Sequence, residues 1–330
     1  MYMNETKSSA NNLKDKARGM MIGLAIGDAL GAPLEHGYSS KDITDQIEVY
    51  RHMHDTKHFP KGVWTDDTSM ALCLADSLIE CLGYDSWVVM DKYKKWRDEG
   101  YRSYFAYGEG IGIQTDNAIE RYERGDQLIR MSEQRTTDAG NGAVMRLAPV
   151  VVATIHSDDQ ATAELARVSA RETHYSHEAE TTTEIFALML RRAVGETDKN
   201  RVIDISSLSS GKLFDDVLIR VTRNVNSNEL KDLGGYIIDT VRIAIWGLLN
   251  FGCFEDGMIA VLCLGGDTDT NAAVYGQLAG AFYGLSGIPK EWQTDLYLKD
   301  ELVSIADELL SEDEHPVLYA RFEEDTIRLK

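Results

Sequence analysis

Apolar residues recur at helical spacing over most of the chain, and this property leaves little room for a sheet. Leu13, Ala17, Met20, Met21, Leu24 and Ala25 follow the i, i+3, i+4, i+7 pattern and predict a helix over about 12–31. "TSMALCLADSLIECL" (68–82) is apolar nearly all round, as a helix at the centre of a core must be. Further helices are predicted over 161–174, after Glu180, over 234–250, 254–266 and 270–284, and over 295–311 at the C-terminal end. No alternating run demands a strand, and only "QIEVY" (46–50) and "RVIDI" (201–205) are candidates. Five prolines in 330 residues agree with a helical chain. The expectation is an all-α fold in one domain, with the polar stretches 36–63 and 195–233 as insertions.

The net charge of −20 argues against binding nucleic acid or an anionic membrane, and any bound phosphate needs local donors. The start of the chain carries no signal-peptide core, and its first apolar run, "MMIGLAIGDALGAPLE", is too short to span a bilayer and is interrupted by Asp28. A cytoplasmic protein is expected. Cys73, Cys81, Cys253 and Cys263 form no C-x-x-C pair and read as buried, reduced thiols.

The chemistry concentrates at helix starts. In "GGDTDTN" (265–271), Asp267 and Asp269 stand two residues apart. Within a regular helix they would point about 200° apart, so they face one centre only from a cap. Gly265 and Gly266 supply the turn, and Gly276 and Gly280, four residues apart, allow the following helix to pack closely against another. "WTDDTSM" repeats the pattern with Thr65, Asp66 and Asp67, and Glu35 follows Asp28 in "GDALGAPLE". Asp and Thr at a helix start usually serve as caps. Two doubled motifs together favour metal, and an all-oxygen donor set selects Mg²⁺, Mn²⁺ or Ca²⁺ over zinc. "DAGNGAVMRLAPV" (138–150) is a glycine-rich turn into a helix, able to receive phosphate or to be an ordinary turn. His174 and His177 lie in "ETHYSHEAE", where either a ligand contact or a structural role is open.

Taken in order, "GLAIGDALGAPLE", "WTDDTSM", "GNGAVMR", "THYSHEA" and "LGGDTDTNAAVYGQLAGAFYG" resemble the ADP-ribosylglycohydrolases of the dinitrogenase-reductase-activating type, over about residues 13–290. The resemblance implies a compact orthogonal helix bundle; 1–12 is expected as a flexible N-terminus and 291–330 as a C-terminal helical extension. It implies two divalent cations, Mg²⁺ or Mn²⁺, one held by Thr65, Asp66, Asp67 and Asp269 and the other by Glu35, Asp267, Asp269 and Thr270. Gly140, Asn141 and Gly142 would lie along the diphosphate and distal ribose, and His174 would contact the ADP-ribose. Asp66, Asp67 and Glu35 would share the catalytic work. The reaction implied is cleavage of the N-glycosidic bond between ADP-ribose and a protein side chain, foremost arginine. Alternatives are hydrolysis of a small ADP-ribosyl compound, or an immunity protein that binds and blocks an ADP-ribosyltransferase. Some relatives carry an aromatic residue before the "GNG" turn where this chain has Ala139 after Asp138, so adenine stacking would fall to another aromatic such as Tyr104, Tyr107 or Tyr175. Residues 195–233 and the tail "SEDEHPVLYARFEEDTIRLK" find no counterpart in the resemblance.

Overall fold

The computed structural model describes residues 2–125, 139–311, 319–322 and 325–328. Asp138 and most of the acidic tail lie outside the described residues. Helices α1 (Tyr2–Glu35), α2 (Ser40–Asp45) and α3 (Ile47–Tyr50) open the chain, followed by α4 (Asp66–Cys81), α5 (Ser86–Glu99) and α6 (Ile113–Glu123). Then come α7 (Gly142–Met145), α8 (Ala148–Ala153), α9 (Asp159–Arg171), α10 (His177–Gly195), α11 (Lys199–Ile203) and α12 (Lys212–Thr222). The last five are α13 (Ile237–Asn250), α14 (Phe254–Leu262), α15 (Thr268–Tyr283), α16 (Lys290–Asp295) and α17 (Lys299–Leu309). The all-α reading holds, with one small sheet added. Strand β1 (Tyr84–Asp85) pairs in parallel with β2 (Tyr319–Phe322), which pairs antiparallel with β3 (Asp325–Arg328).

At the centre α1 runs antiparallel along α15 at very close range. Gly19, Gly23, Gly27 and Gly31 of α1 face Gly280, Gly276, Ala272 and Asp269 of α15 in that order. A β-carbon on Gly23 would overlap the Gly276 carbonyl, and one on Gly27 would overlap that of Ala272. Glycine is therefore required for backbone-to-backbone contact here. Helices α10, α13 and α14 cover the rest of α15, and α4 packs on α5 and α8. Residues Met70–Ala75 and Leu78 of α4 are buried, as its apolar circumference predicts. Helix α17 docks on α1 through Arg18, whose Nε and Nη2 donate to Asp307 at 2.7 and 2.6 Å.

Several expectations are corrected. The first helix is helical from Tyr2 and runs through Asp28 to Glu35, so Asp28 lies inside it. Neither strand candidate is a strand: 47–50 and 199–203 are single helical turns. A Ser39/Asp42 capping box starts α2 just ahead of the first, and Asp198 caps the second by accepting from Asn200 N–H. The C-terminal segment is helical only to Leu309 before the β2–β3 pair. Cys253 is exposed, Cys81 and Cys263 are half-buried, and only Cys73 is buried. No described helix is long and apolar enough to cross a membrane.

Candidate active site

The start of α4 shows why its aspartates do not act as caps. Asp28, projecting from α1, does the capping from outside. Its Oδ1 accepts from Thr65 N–H at 2.9 Å and Thr65 Oγ1 at 2.8 Å, and its Oδ2 from Thr68 N–H at 2.9 Å and Thr68 Oγ1 at 2.7 Å. Asp66 and Asp67 are left with charge to place. Asp67 is wholly buried, and neither carboxylate oxygen has a hydrogen-bond partner among the described residues. A buried, unpartnered carboxylate is costly.

The start of α15 repeats the arrangement. Gly265 and Gly266 both take positive φ, 68° and 77°, so the double glycine is a conformational requirement. Asp267 is the cap residue, yet its side chain makes no cap hydrogen bond. Its Oδ2 instead accepts from Asn141 Nδ2 at 2.7 Å. Asp269 Oδ1 accepts from the Thr270 N–H at 2.8 Å, and its Oδ2 lies 3.5 Å from Thr65 Oγ1.

The carboxylates converge in two groups. Oxygens of Asp28, Asp67 and Asp269 lie within 4.8 Å of one another, and so do those of Glu35, Asp267 and Asp269. Asp269 belongs to both. Two ionised carboxylates about 4 Å apart repel by about 4 kcal/mol at an effective dielectric near 20. No lysine or arginine pairs with any of these groups among the described residues, and His36 Nδ1 lies 3.1 Å from Glu35. Burial first, and then the neighbouring carboxylates, push Asp66, Asp67 and Asp269 well above the usual carboxylate range. Burial and then Asp267 raise Glu35. Glu35 also closes α1 at the negative end of its dipole, with no basic residue in the last turn. An oxygen-lined cluster with orphaned buried carboxylate atoms fits hard divalent cations, which would offset every one of these costs.

The cluster forms the floor of a cavity of about 510 Å³. Glu35, Asp66, Asp267, Asp269 and Thr270 line it together with Gly140, Asn141, Gly142 and His174. Asp67 sits behind this lining, and Thr65 borders a neighbouring groove. The "GNG" turn is fixed by backbone pairing with the "GGY" loop: Asn141 N–H donates to Gly235 O at 3.0 Å and Ile237 N–H to Ala139 O at 3.1 Å. His174 is 3 % exposed and packs against Gly140 and Gly142, where a β-carbon on Gly142 would stand 2.6 Å from its Cε1. Burial lowers its imidazole to about 3, so it is neutral at physiological pH.

Comparison with known proteins agrees with this geometry. The family model for ADP-ribosylglycohydrolases matches residues 9–317. The chain belongs to the ADP-ribosylglycohydrolase family. Membership makes it a glycohydrolase. It is 31% identical over 305 residues to an ADP-ribosylarginine hydrolase of Pseudomonas putida, covering 89% of this chain and 78% of the relative. It is 32% identical over 304 residues to one of Serratia proteamaculans, covering 89% and 79%. The ADP-ribosyl-[dinitrogen reductase] glycohydrolase of Rhodospirillum rubrum is 29% identical over 295 residues, covering 88% and 93%. A solved ADP-ribosylglycohydrolase-related protein complex superposes with a TM-score of 0.74 at 35% identity, covering 91% of this chain and 98% of that one.

Several features of this ADP-ribosylglycohydrolase escaped the sequence reading. Asp28 joins the first carboxylate group, whereas Asp66 lies outside both groups and faces the cavity. The helix after "GNG" is a single turn, and the Asn141 N–H is already engaged, which removes one of the donors expected for phosphate. The aromatic residue on the cavity wall is Tyr236, and none of Tyr104, Tyr107 and Tyr175 lines it. The signal for Tyr236 was present as a second double glycine, Gly234–Gly235, directly before a helix. His177 is exposed at the start of α10. Residues 195–233 lie within the span matched by the family model. Their far end supports the site: Asp232 N–H donates to Leu264 O at 2.8 Å, and Leu233 O accepts from Asp267 N–H at 3.0 Å.

Proposed function

We propose that the protein hydrolyses the N-glycosidic bond joining ADP-ribose to an arginine side chain of a modified protein, reversing mono-ADP-ribosylation. The observation that carries this reading is the pair of carboxylate groups sharing Asp269 on the cavity floor of an ADP-ribosylglycohydrolase. Two relatives named for ADP-ribosylarginine favour arginine over other linkages, and favour this type over the dinitrogenase-reductase-activating one. The family match over 9–317 supports a single domain.

Asp67 and Asp269 would hold one divalent cation, Mg²⁺ or Mn²⁺, with Thr65 beside Asp269 and Asp66 turned to the cavity, and Glu35, Asp267, Asp269 and Thr270 would hold the other. Bound there, the ions supply Lewis-acid polarisation and offset the charge of the cluster. The chain's own residues do the rest. Asp66 faces the cavity and is placed to orient and deprotonate the attacking water. Asp67, with no exposed surface, is a ligand and has no path to water in the cavity. Glu35, where the cavity opens into a neighbouring groove, is placed to face the departing guanidine. Positive charge that develops at the ribose C1 is stabilised by the surrounding carboxylates. Gly140, Gly142 and His174 receive the ADP-ribose, with Asn141 holding Asp267 in place, and Tyr236 offers a ring for the base.

A groove of about 1380 Å³ meets the cavity at Glu35 and Gly110–Ile113. Tyr38, Val49, Tyr107 and Ile113 stand exposed along it, which suits the chain of a modified protein. The test is ADP-ribose release from an arginine-modified protein, with a serine-modified protein and free ADP-ribosylarginine in parallel, each with Mg²⁺ and with EDTA. Release is expected from the arginine-modified protein, and only with metal. Release solely from the small compound would replace the substrate. No release, with tight binding to an ADP-ribosyltransferase, would make the chain an immunity protein.

A further inference from the structure

Behind the cavity wall lies a buried polar chain that the reaction above does not use. Arg146 is 1 % exposed in the core, over the ring of Tyr93 at 4.9 Å. Its Nη2 donates to Ser169 O at 3.2 Å and to Thr173 Oγ1 at 2.7 Å. Thr173 Oγ1 lies 2.8 Å from His174 Nδ1. All three residues are buried, and the His174 ring ends at Gly140, Gly142 and the cavity.

The hydrogen-bond inventory gives this chain a direction. A guanidinium has only donors and does not lose its proton in proteins. Thr173 Oγ1 therefore accepts from Arg146. Its own hydrogen then needs an acceptor, and among the described residues the acceptor in reach is His174 Nδ1. With Nδ1 accepting, a neutral imidazole carries its proton on Nε2. We propose that Arg146 and Thr173 are positioning residues that lock His174 as the Nε2–H tautomer, so that it presents a hydrogen-bond donor to an acceptor oxygen of the bound ADP-ribosyl group. The assignment of the acceptor rests on reading this cavity as the ADP-ribose site. The tautomer itself does not. The arrangement answers a need of the chain. A protein of net charge −20 has no general field to hold a diphosphate, so each donor must be fixed locally. A neutral donor also leaves the balance of cations and carboxylates across the cavity unchanged. Burial and the charge of Arg146 both disfavour the imidazolium.

The tautomer is read directly by side-chain ¹⁵N NMR of the histidine-labelled protein without ligand, with His174 identified by its absence in His174→Gln. The expected spectrum has a pyrrole-type Nε2 and a pyridine-type Nδ1. Thr173→Ser, which keeps the hydroxyl, should preserve both. Thr173→Val should move them towards mixed or inverted tautomers and weaken ADP-ribose binding roughly tenfold by calorimetry, the size of one lost hydrogen bond. A protonated Nδ1 in the wild type overturns the proposal, and so do unchanged shifts in Thr173→Val. If Thr173→Val does not fold, Thr173→Ala replaces it, and the wild-type spectrum still decides. If ADP-ribose does not bind but the shifts behave as described, the cavity has another ligand and the tautomer lock stands.

Discussion

Asp67 carries a carboxylate with no exposed surface and no hydrogen-bond partner among the described residues, next to Asp28 and Asp269. Removing its charge should therefore stabilise the metal-free protein and spoil the metal-bound one. In EDTA, urea unfolding of Asp67→Asn is expected at a higher midpoint than wild type. A cation at about 100 times its dissociation constant should stabilise wild type by about 2.7 kcal/mol, and Asp67→Asn by clearly less. Two other buried groups add to the pH response of the raised site carboxylates. Burial pushes Glu172 up to about 8, against Tyr84 and Arg146, which lower it. Its folded pKa exceeds the unfolded value of about 4.3, so its contribution is fully present below about pH 4.3 and is lost as pH rises through about 8. Neutral His174 works the other way: its contribution is present above about pH 6.5 and is lost as pH falls towards about 3. Glu172→Gln should flatten the loss of stability between about pH 4.3 and about pH 8, to which one such group contributes at most about 1.4 kcal/mol per pH unit. An unchanged slope in denaturation between about pH 5 and about pH 9 would count against this assignment. The sequence showed which carboxylates are unusual, because doubled acids at helix starts exceed what capping needs. It did not show that Asp28 supplies the cap of α4, since that contact joins residues 37 and 40 positions apart.

Helices α1 and α15 decide where the site lies. The glycines of α1 recur every four residues, from Gly19 to Gly31, and this stripe is plain in the sequence once its partner is known. Only the α15 half, Gly276 and Gly280, drew attention, because a glycine stripe names a close contact without naming the helix that makes it. The antiparallel register places Gly31 against the Asp269 backbone, and Glu35, one turn on, beside Asp267. Gly23→Ala is expected to cost roughly 1–3 kcal/mol by overpacking, with little change in cation affinity. Gly31→Ala presses on Asp269 itself and should weaken cation binding more than it lowers stability. Equal losses on both measures for the two variants, by denaturation and by titration calorimetry, would contradict this division. Long helices with sustained periodicity were legible in the sequence. The single turns α3 and α11 were not, because a short segment with two or three β-branched or aromatic residues among polar ones fits a strand and a helical turn equally. The β2–β3 pair stayed hidden because 291–330 was read as a helical extension.

At the scale of the whole molecule, the fold gathers charge that its composition has no means of neutralising. Segments near residues 28–35, 65–67 and 267–270 meet over one cavity, in a chain whose net charge is already −20. Local turn chemistry can write each segment, but their meeting depends on packing between helices more than 200 residues apart, which no pattern in the sequence encodes directly. Family membership accounts for the reaction class. The physical claim that carries the rest is that Asp269 joins two carboxylate groups around two divalent cations. Equilibrium titration of the metal-free protein with Mn²⁺ tests it most directly. Two ions bound per chain, with binding at both sites lost in Asp269→Ala, is the result this account predicts. One ion or none in the wild type, or undiminished binding by Asp269→Ala, would contradict it.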